Sequence, residues 1–532
     1  MFDLAMPLAW KYVDDIQRLF ALLPVPKQVQ QVDEAPKKPS SSSLEDDFER
    51  FNVYAPWVRH LEFWTCLYYP KHRELDRIRH YSMEHTVLPN LRYISVTTEL
   101  GFVKMSVIMP FISPSLVGFR LGPISYEPIP ELSESEFSLL LTALCDKRCR
   151  MKYLSVPASR SLGVASSGTA DPDDSRGGQK NRAGRLFKDI LPTMGPLAGL
   201  TISSNILEHD GLRMIGSWRA LERFEIVGAS NGQNDDFAFP QLDESAFPFL
   251  EHLGLYRLSG ATIFDIVQNV PSLVGGLTSI KILPLSSDYL SEDVSPPIGL
   301  KLLPILVKRC PRLQSLWLRV CDAKYLVHRT PVSALDALMD LPLQSLFLEG
   351  IHLVECTNVP KHLAKIFPAL VHLGLPDHRL SFVDLRTVRD QMPQLGSLSI
   401  GLDAGSLSDV KINYEDPGRH PQYPLRVLEA RFRKQGLHEE RCPDTPRSYT
   451  FQQVSLFVRY LSSLWPDVQL LEQQVTAAET NSEIPGCMTK FFNDQLAMLS
   501  RHSCDSVLKC DDTAVLDEEN WKLCEQKHRI KQ

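Results

Sequence analysis

The chain has 532 residues, enough for three or four globular domains or for one long repeat array. Its 57 Lys and Arg against 64 Asp and Glu give a formal net charge of -7, which provides no basic surface for DNA or RNA, so nucleic-acid binding is not expected. No apolar stretch reaches the ~18 residues of a transmembrane helix, so we expect no membrane partner either.

The N-terminus carries acids where a signal peptide carries bases, and the eleven cysteines are scattered. No Asn-x-Ser/Thr sequon occurs. Scattered cysteines and the absence of a sequon are typical of a reducing compartment, so we expect a cytoplasmic or nuclear protein.

The first 30 residues are predicted to form an N-terminal helix, because apolar residues recur at helical spacing between Pro7 and Leu23. Residues 31–47 are polar and rich in Pro and Ser, which predicts a flexible linker. Residues 158–185 contain too few apolar side chains to offset their ordering entropy, so a disordered insertion is expected there. Residues 473–532 lack clear periodicity and are predicted to be a tail, partly helical or disordered.

Residues 48–472 are dominated by a repeated template, x-P-x-L-x-x-L-x-L. The segments that fit it in full are Ala55–Phe63, Leu88–Val96, Ser113–Leu121, Phe247–Leu255, Cys310–Leu318, Phe367–Leu375 and Met392–Ile400. Counting looser copies, the first apolar positions of the fourteen predicted strand segments are Val58, Leu91, Leu116, Met151, Leu197, Leu221, Leu250, Leu277, Leu313, Leu343, Leu370, Leu395, Leu425 and Val468. A strand with period two would bury the L-x-L residues of each copy.

Several segments between these strands have helical character. They are Glu136–Leu144, Gly299–Val307, Ala334–Leu341, Val359–Ile366 and Phe382–Met392. Apolar strands alternating with helical returns predict an α/β fold, an irregular leucine-rich-repeat-like solenoid with a curved parallel sheet. The surplus of 38 prolines over 27 glycines is then explained, since proline stops a helix and begins a strand segment. The alternative is a two- or three-layer α/β domain with recurrent parallel strands.

Five segments also resemble a known family, the F-box-associated leucine-rich-repeat-like proteins of mushroom-forming basidiomycete fungi. The segments are Pro7–Pro24, Asp46–Phe63, Val87–Val96, Phe111–Leu121 and Ser455–Leu471. The resemblance implies the substrate-receptor part of a cullin-type ubiquitin ligase. The F-box motif itself is not present in this chain, so binding of the ligase adaptor is implied only if an F-box lies upstream.

One motif points to an enzyme instead. Residues 228–232 fit the G-x-S-x-G pattern after a predicted strand, so the alternative function is an α/β serine hydrolase with Ser230 as nucleophile. Polar and acidic residues follow in place of a helix rich in small residues, which favours a loop. Candidate bases are His209, His252, His352, His372 and His378, and no spacing singles one out. We therefore expect no catalytic residue.

Two groups approach metal-ligand spacing, Cys145 with Cys149 and His502 with Cys504 and Cys510. Neither has a matching second pair, and Cys145 and Cys149 are i,i+4 neighbours expected to face one core. No phosphate-binding glycine motif occurs, so no metal and no cofactor is expected.

A protein-binding surface is the better-supported site. The residue between the last two template leucines would point to the open face of the sheet, and two adjacent strands place Trp317 and Phe347 there. Arg319 and Glu349 follow one pleat further along. This composition is typical of an interaction hot spot, which predicts contact with a protein partner. Alternatively, a return loop or the C-terminal segment covers the pair.

Overall fold

The computed structural model describes sixteen stretches of the chain, and the statements below concern these alone. They are residues 2–23, 42–64, 72–97, 105–122, 132–157, 187–204, 207, 209–228, 242–284, 298–319, 327–354, 358–403, 406, 425–433, 451–465 and 468–472. The chain divides into two compact units, which we call the N-terminal unit (Met1–Gly276) and the C-terminal unit (Leu277–Gln532).

The N-terminal unit is built on a parallel sheet whose strands are ordered in the sheet as in the chain. The strands are β1 (Tyr12–Val13), β2 (His60–Trp64), β3 (Tyr93–Thr97), β4 (Gly118–Leu121), β5 (Tyr153–Val156), β6 (Gly199–Ser203), β7 (Arg223–Val227) and β8 (His252–Tyr256). The α-helices are α1 (Phe2–Trp10), α2 (Ile16–Phe20), α3 (Ser42–Tyr54), α4 (His72–Glu84), α5 (Met105–Ile108), α6 (Glu134–Asp146), α7 (His209–Gly216), α8 (Gly260–Asn269) and α9 (Pro271–Val274). Short 3-10 helices span Ala55–Trp57, Met109–Phe111 and Leu191–Met194.

The C-terminal unit repeats this plan. Its strands are β9 (Ser279–Leu283), β10 (Ser315–Arg319), β11 (His328–Pro331), β12 (Ser345–Glu349), β13 (Ile351–Val354), β14 (His372–Leu380), β15 (Ser397–Asp403), β16 (Val427–Arg433) and β17 (Gln469–Glu472). Strands β11 and β13 form a separate parallel pair, and the others form one parallel sheet in chain order. The helices are α10 (Ile298–Arg309), α11 (Val359–Ile366), α12 (Phe382–Gln391), α13 (Phe451–Leu464) and a 3-10 helix (Val332–Leu338).

Each of the fourteen predicted strand segments contains a strand, so the predicted α/β architecture of parallel strands and helices, solenoid-like in each unit, is confirmed. All five residues of β6 are buried, whereas several other strands show the predicted alternation of buried and partly exposed residues. In β2, for example, Leu61 and Phe63 are buried and Glu62 between them is partly exposed. The core therefore lies on one face of each sheet, the face toward the helices.

The proline of the template lies in a tight turn immediately before the strand. In the Leu88–Leu91 turn the N–H of Leu91 donates to the carbonyl of Leu88 at 3.2 Å, and the Cys310–Leu313 turn repeats this bond at 3.0 Å. Pro89 and Pro311 therefore occupy the second position of a β-turn, where the fixed φ of proline is preferred. The sequence analysis assigned the prolines to strand starts, and the turn supplies the physical reason.

One backbone contact recurs at the start of almost every strand. The carbonyl of Arg59, just before β2, accepts hydrogen bonds from the N–H groups of both Arg92 and Tyr93 at the start of β3. The carbonyl of Thr278 accepts in the same way from Gln314 and Ser315 in the C-terminal unit. Because this contact involves only main-chain atoms, it fixes the register of successive strands whatever their side chains are.

The predicted N-terminal helix is wrong in detail. The segment Pro7–Leu23 forms two helices, α1 and α2, separated by strand β1, and Asp15 caps α2 by accepting from the N–H of Gln17. The cause is non-local, since β1 pairs with β2 and the carbonyl of Lys11 accepts from the N–H of His60.

Two further boundaries differ from the predictions. The predicted linker 31–47 ends early, because α3 begins at Ser42 and is anchored by the fully buried Phe48 and Phe51. The predicted helical return Ala334–Leu341 is a 3-10 helix over Val332–Leu338. The predicted insertion 158–185 and tail 473–532 lie outside the described residues.

Candidate functional site

The structure brings Trp317 and Phe347 side by side, as the sequence predicts. They are register partners in β10 and β12, and their ring centroids are 4.7 Å apart with the planes tilted by 50°. Both are only partly exposed, because each ring leans on a neighbour. The side-by-side arrangement follows from the repeated turns, which start both strands at the same level.

The pair belongs to a longer row across four neighbouring strands. Lys281 of β9 is in register with Trp317, and its Nζ lies 3.2 Å from the centroid of the Trp317 ring, which is a cation–π contact. On the other side, Phe347 is in register with Gly374 of β14. A Cβ on Gly374 would lie 1.9 Å from Cδ2 of Phe347, so the phenyl ring occupies the space that a side chain would need. We call Lys281, Trp317, Phe347 and Gly374 the aromatic row.

Glu349 and Arg319 fix one edge of the aromatic row. The indole N–H of Trp317 donates to Oε1 of Glu349 at 3.0 Å, and Nε of Arg319 donates to Oε2 of the same carboxylate at 2.5 Å. The side chains of Arg319 and Glu349 are 21% and 14% exposed, so this ion pair is more shielded than an ordinary surface pair. Hence the carboxylate holds the indole at a defined angle, and the row is a preorganised surface with an aromatic centre and a charged edge.

A second polar cluster lies in the N-terminal unit and was not found from the sequence. Glu225 of β7 is only 6% exposed although it occupies an open-face position. Its carboxylate accepts from Thr201 Oγ1 at 2.7 Å, from Arg223 Nη2 at 2.6 Å and from the Tyr256 hydroxyl at 3.2 Å. Burial and then the Glu225 charge raise the pKa of Tyr256, which therefore stays a neutral donor. Because three donors occupy the carboxylate of Glu225, we infer that this residue has a structural role.

Open-face positions are thus not uniformly exposed. Ser155 and Ser399 also occupy them, yet they are buried and their hydroxyls have no hydrogen-bond partner among the described residues. The alternation of the strands predicts which face a side chain takes, and neighbouring long side chains decide whether water reaches it.

Two histidines that no spacing singled out are brought together in the C-terminal unit. The ring centroids of His352 and His378 are 5.0 Å apart. Burial, with a smaller contribution from the charge of His352, lowers the pKa of His378 to about 4. Burial also lowers the pKa of His352. The sequence does not predict this pair, because His378 lies in β14 where its register with β15 shifts between Leu375 and Arg379.

The other residues considered for catalysis or metal binding lie on different elements or outside the described residues. Ser230, His502, Cys504 and Cys510 lie outside the described residues, and His209, His252 and His372 are separate members of α7, β8 and β14. Gly228, the first glycine of the G-x-S-x-G motif, has a packing role, because a Cβ there would lie 2.0 Å from the carbonyl oxygen of Arg257.

Cys145 of α6 and Cys149, which follows this helix, do not share one environment. The thiol of Cys149 is buried, and its Sγ lies 3.2 Å from the carbonyl oxygen of Ser113. Cys145 is partly exposed and lies 3.5 Å from the hydroxyl of Thr193. The expectation that both face one core is therefore wrong, because Cys149 follows the end of α6 and the left-handed residue Arg148. Within the described ranges, no group of three or more His, Cys, Asp or Glu side chains could hold a metal ion.

No protein-family model matches the chain, and no curated protein matches it. Among the described helices, none is long and apolar enough to cross a membrane.

Proposed function

We propose that the chain is a non-catalytic protein-recognition module of the leucine-rich-repeat type, with a curved sheet whose open face binds a protein partner. The observation that carries this proposal is the aromatic row, in which two large rings lie together on the open face and are held from both sides. By the family resemblance, the module is the substrate-receptor part of an F-box protein in a cullin-type ubiquitin ligase.

The row has the physical properties of a binding hot spot. Aromatic and arginine side chains dominate the energetics of protein interfaces, and rigid side chains lose little conformational entropy on binding. Trp317 is fixed by Lys281, Phe347 and Glu349, so a partner meets a surface that is already ordered. The charged edge formed by Arg319 and Glu349 supplies polar contacts at the rim, where they add specificity.

Affinity capture with the double variant Trp317→Ala/Phe347→Ala tests the site. We expect at least a tenfold loss of the partners captured by the native chain, because both anchor rings are removed. Far-ultraviolet circular dichroism and urea-induced unfolding would establish that the variant is folded. Capture of the same partners at undiminished yield by the folded variant would exclude this site.

A matched control is available at another exposed aromatic residue of the chain. Phe249 lies in the turn before β8 and is 57% exposed, so Phe249→Ala removes an exposed ring away from the aromatic row. Partner capture is expected to be unchanged in this control. Equal losses in the control and the double variant would indicate a general effect of removing aromatic surface.

The ligase assignment is tested separately from the site. An in-frame F-box segment in the genomic sequence upstream of Met1, together with co-purification of the ligase adaptor by the extended chain, is the expected result. If the extended chain captures its partners but not the adaptor, the ligase assignment is excluded and the recognition role stands alone.

A further inference from the structure

Three exposed tyrosines form a line on the open face of the N-terminal unit. Tyr12 begins β1, Tyr93 begins β3 and Tyr153 begins β5, and register pairing through the strands between them puts all three at one level. They are 45%, 39% and 45% exposed, respectively. We call these three residues the tyrosine row, and it is distinct from the aromatic row because it belongs to the other unit.

All three rings lean toward the next strand in the sheet. The Tyr12 ring contacts His60 of β2 edge to face, with centroids 4.6 Å apart. Tyr93 lies across Gly118 and Tyr153 lies across Gly199, since a Cβ on these glycines would be 2.6 Å and 2.9 Å from Cδ1 of the respective tyrosine. Because all three rings are displaced toward the next strand, the distance between two rings matches the distance between their strands.

The spacing selects one backbone conformation in a ligand. Adjacent strands are about 4.8 Å apart, so rings on every second strand repeat every ~9.6 Å. A polyproline II helix rises about 3.1 Å per residue and repeats every three residues, or ~9.3 Å. Prolines at every third position of such a helix would therefore meet Tyr12, Tyr93 and Tyr153 in turn. Proline rings on tyrosine faces are the contact by which aromatic grooves recognise proline-rich segments.

The Tyr12 end of the tyrosine row is held in place before any ligand arrives. The Tyr12 hydroxyl donates to the carboxylate of Glu62, and this bond is the main cause that raises the pKa of Tyr12 to about 12. His60, between Tyr12 and Tyr93, is within 3.0 Å of the Ser95 hydroxyl. A fixed platform lowers the entropy lost on binding.

A positive charge lies beside the tyrosine row. Arg120 is on β4, between the strands of Tyr93 and Tyr153, and two residues beyond Gly118. Its side chain is exposed and its charge also acts on Tyr256, but no carboxylate within the described ranges forms an ion pair with it. Charge complementarity therefore favours an acidic residue in a ligand that crosses β4 and β5.

We propose that the tyrosine row binds a proline-rich segment of a partner protein in the polyproline II conformation, with prolines three residues apart and an acidic residue facing Arg120. The proposal names a partner class for the recognition role proposed above and rests on that role. It adds a second contact surface, in the N-terminal unit.

The test uses two synthetic peptides, fluorescein-(Pro-Pro-Glu)4 and fluorescein-(Pro-Pro-Lys)4, titrated with the full chain in a fluorescence-anisotropy assay. We expect the glutamate peptide to bind at least tenfold more tightly than the lysine peptide. This preference would oppose the net charge of -7, which on its own favours the lysine peptide. The flexible peptide fluorescein-(Gly-Gly-Glu)4 carries the same charge and is expected to bind at least tenfold more weakly than its proline counterpart.

Variants locate the contact. Tyr93→Ala and Tyr153→Ala are each expected to weaken binding of the glutamate peptide at least fivefold, and Phe249→Ala is the matched control expected to leave it unchanged. Arg120→Glu is expected to reverse the preference between the two charged peptides. Because a reversal requires binding, it cannot arise from loss of folding.

Several results would overturn the proposal. They are absence of binding by either proline peptide, equal binding of all three peptides, or unchanged binding by the two tyrosine variants. Binding of a neutral oligosaccharide such as cellohexaose in place of the peptides would also overturn it, since flat tyrosine faces can stack on sugars. The Trp317→Ala/Phe347→Ala variant separates the two proposals, because it is expected to lose captured partners and to retain the glutamate peptide.

Discussion

The contact between Phe347 and Gly374 gives a sharp test of the aromatic row. A Cβ on Gly374 would lie 1.9, 2.3 and 2.7 Å from Cδ2, Cε2 and Cγ of the phenyl ring. Carbon atoms in contact are normally about 3.5–4.0 Å apart, so Gly374→Ala forces the ring to retreat by roughly 1.5 Å. Such overpacking costs about 1–3 kcal/mol of the free energy of unfolding.

The same substitution should be harmless when the ring is absent. In a Phe347→Ala background the space beside Gly374 is open, and alanine in a strand is favoured over glycine by about 0.5–1 kcal/mol. Urea-induced unfolding of the native chain, both single variants and the double variant gives the coupling free energy directly. We expect a coupling of about 2 kcal/mol. A coupling below about 0.5 kcal/mol, the usual error of additivity, would refute the claim that the glycine is needed by the phenyl ring.

The remaining predictions concern the buried polar groups and the absence of catalysis. Glu225→Ala leaves the donors of Thr201 and Tyr256 without their acceptor and is expected to cost about 2–3 kcal/mol in urea-induced unfolding; Glu225→Gln, which keeps one acceptor oxygen, should cost clearly less, and equal costs would contradict the network. His378 has a pKa of about 4 in the folded chain against an ordinary value of 6.5, so the unfolded chain binds its proton first as the pH falls. Stability is therefore lost between pH 6.5 and 4, by at most about 1.4 kcal/mol per pH unit, and His378→Leu should reduce this slope when unfolding is measured at pH 7.5, 6.0 and 5.0; an unchanged slope would assign the loss to other groups. A serine-reactive fluorophosphonate is expected not to label the chain, whereas labelling that disappears in Ser230→Ala would establish the hydrolase alternative.

The repeated strands could be predicted because their signal is local. Each template copy carries a turn-forming proline and two leucines at period two, and both the β-turn and the burial of alternate residues depend on neighbours in the sequence. The placement of Trp317 beside Phe347 followed from the same rule, since equal turns start adjacent strands at equal levels. The identity of the ring neighbours Lys281 and Gly374 was likewise contained in the alignment of the copies.

The features that could not be predicted depend on partners far away in the chain. Residues Tyr12 and Val13 continue a helical pattern, yet they form a strand because the edge of β2 offers hydrogen bonds. Glu225 takes an open-face position typical of an exposed residue, and only the fold brings it the hydroxyls of Thr201 and Tyr256. The tyrosine row was overlooked because its members begin their strands, whereas only the central residue of each strand was considered.

The main-chain hydrogen bonds at the strand starts fix the register of each strand against the next. They do not constrain the connection between the two strands. The carbonyl of Lys152 accepts from Ala198 and Gly199, and the carbonyl of Ala198 accepts from Glu222 and Arg223, although the first connection is far longer than the second. The same main-chain contact therefore forms across connections of different length. Returns that differ in length and composition are thus compatible with one geometry of the open face.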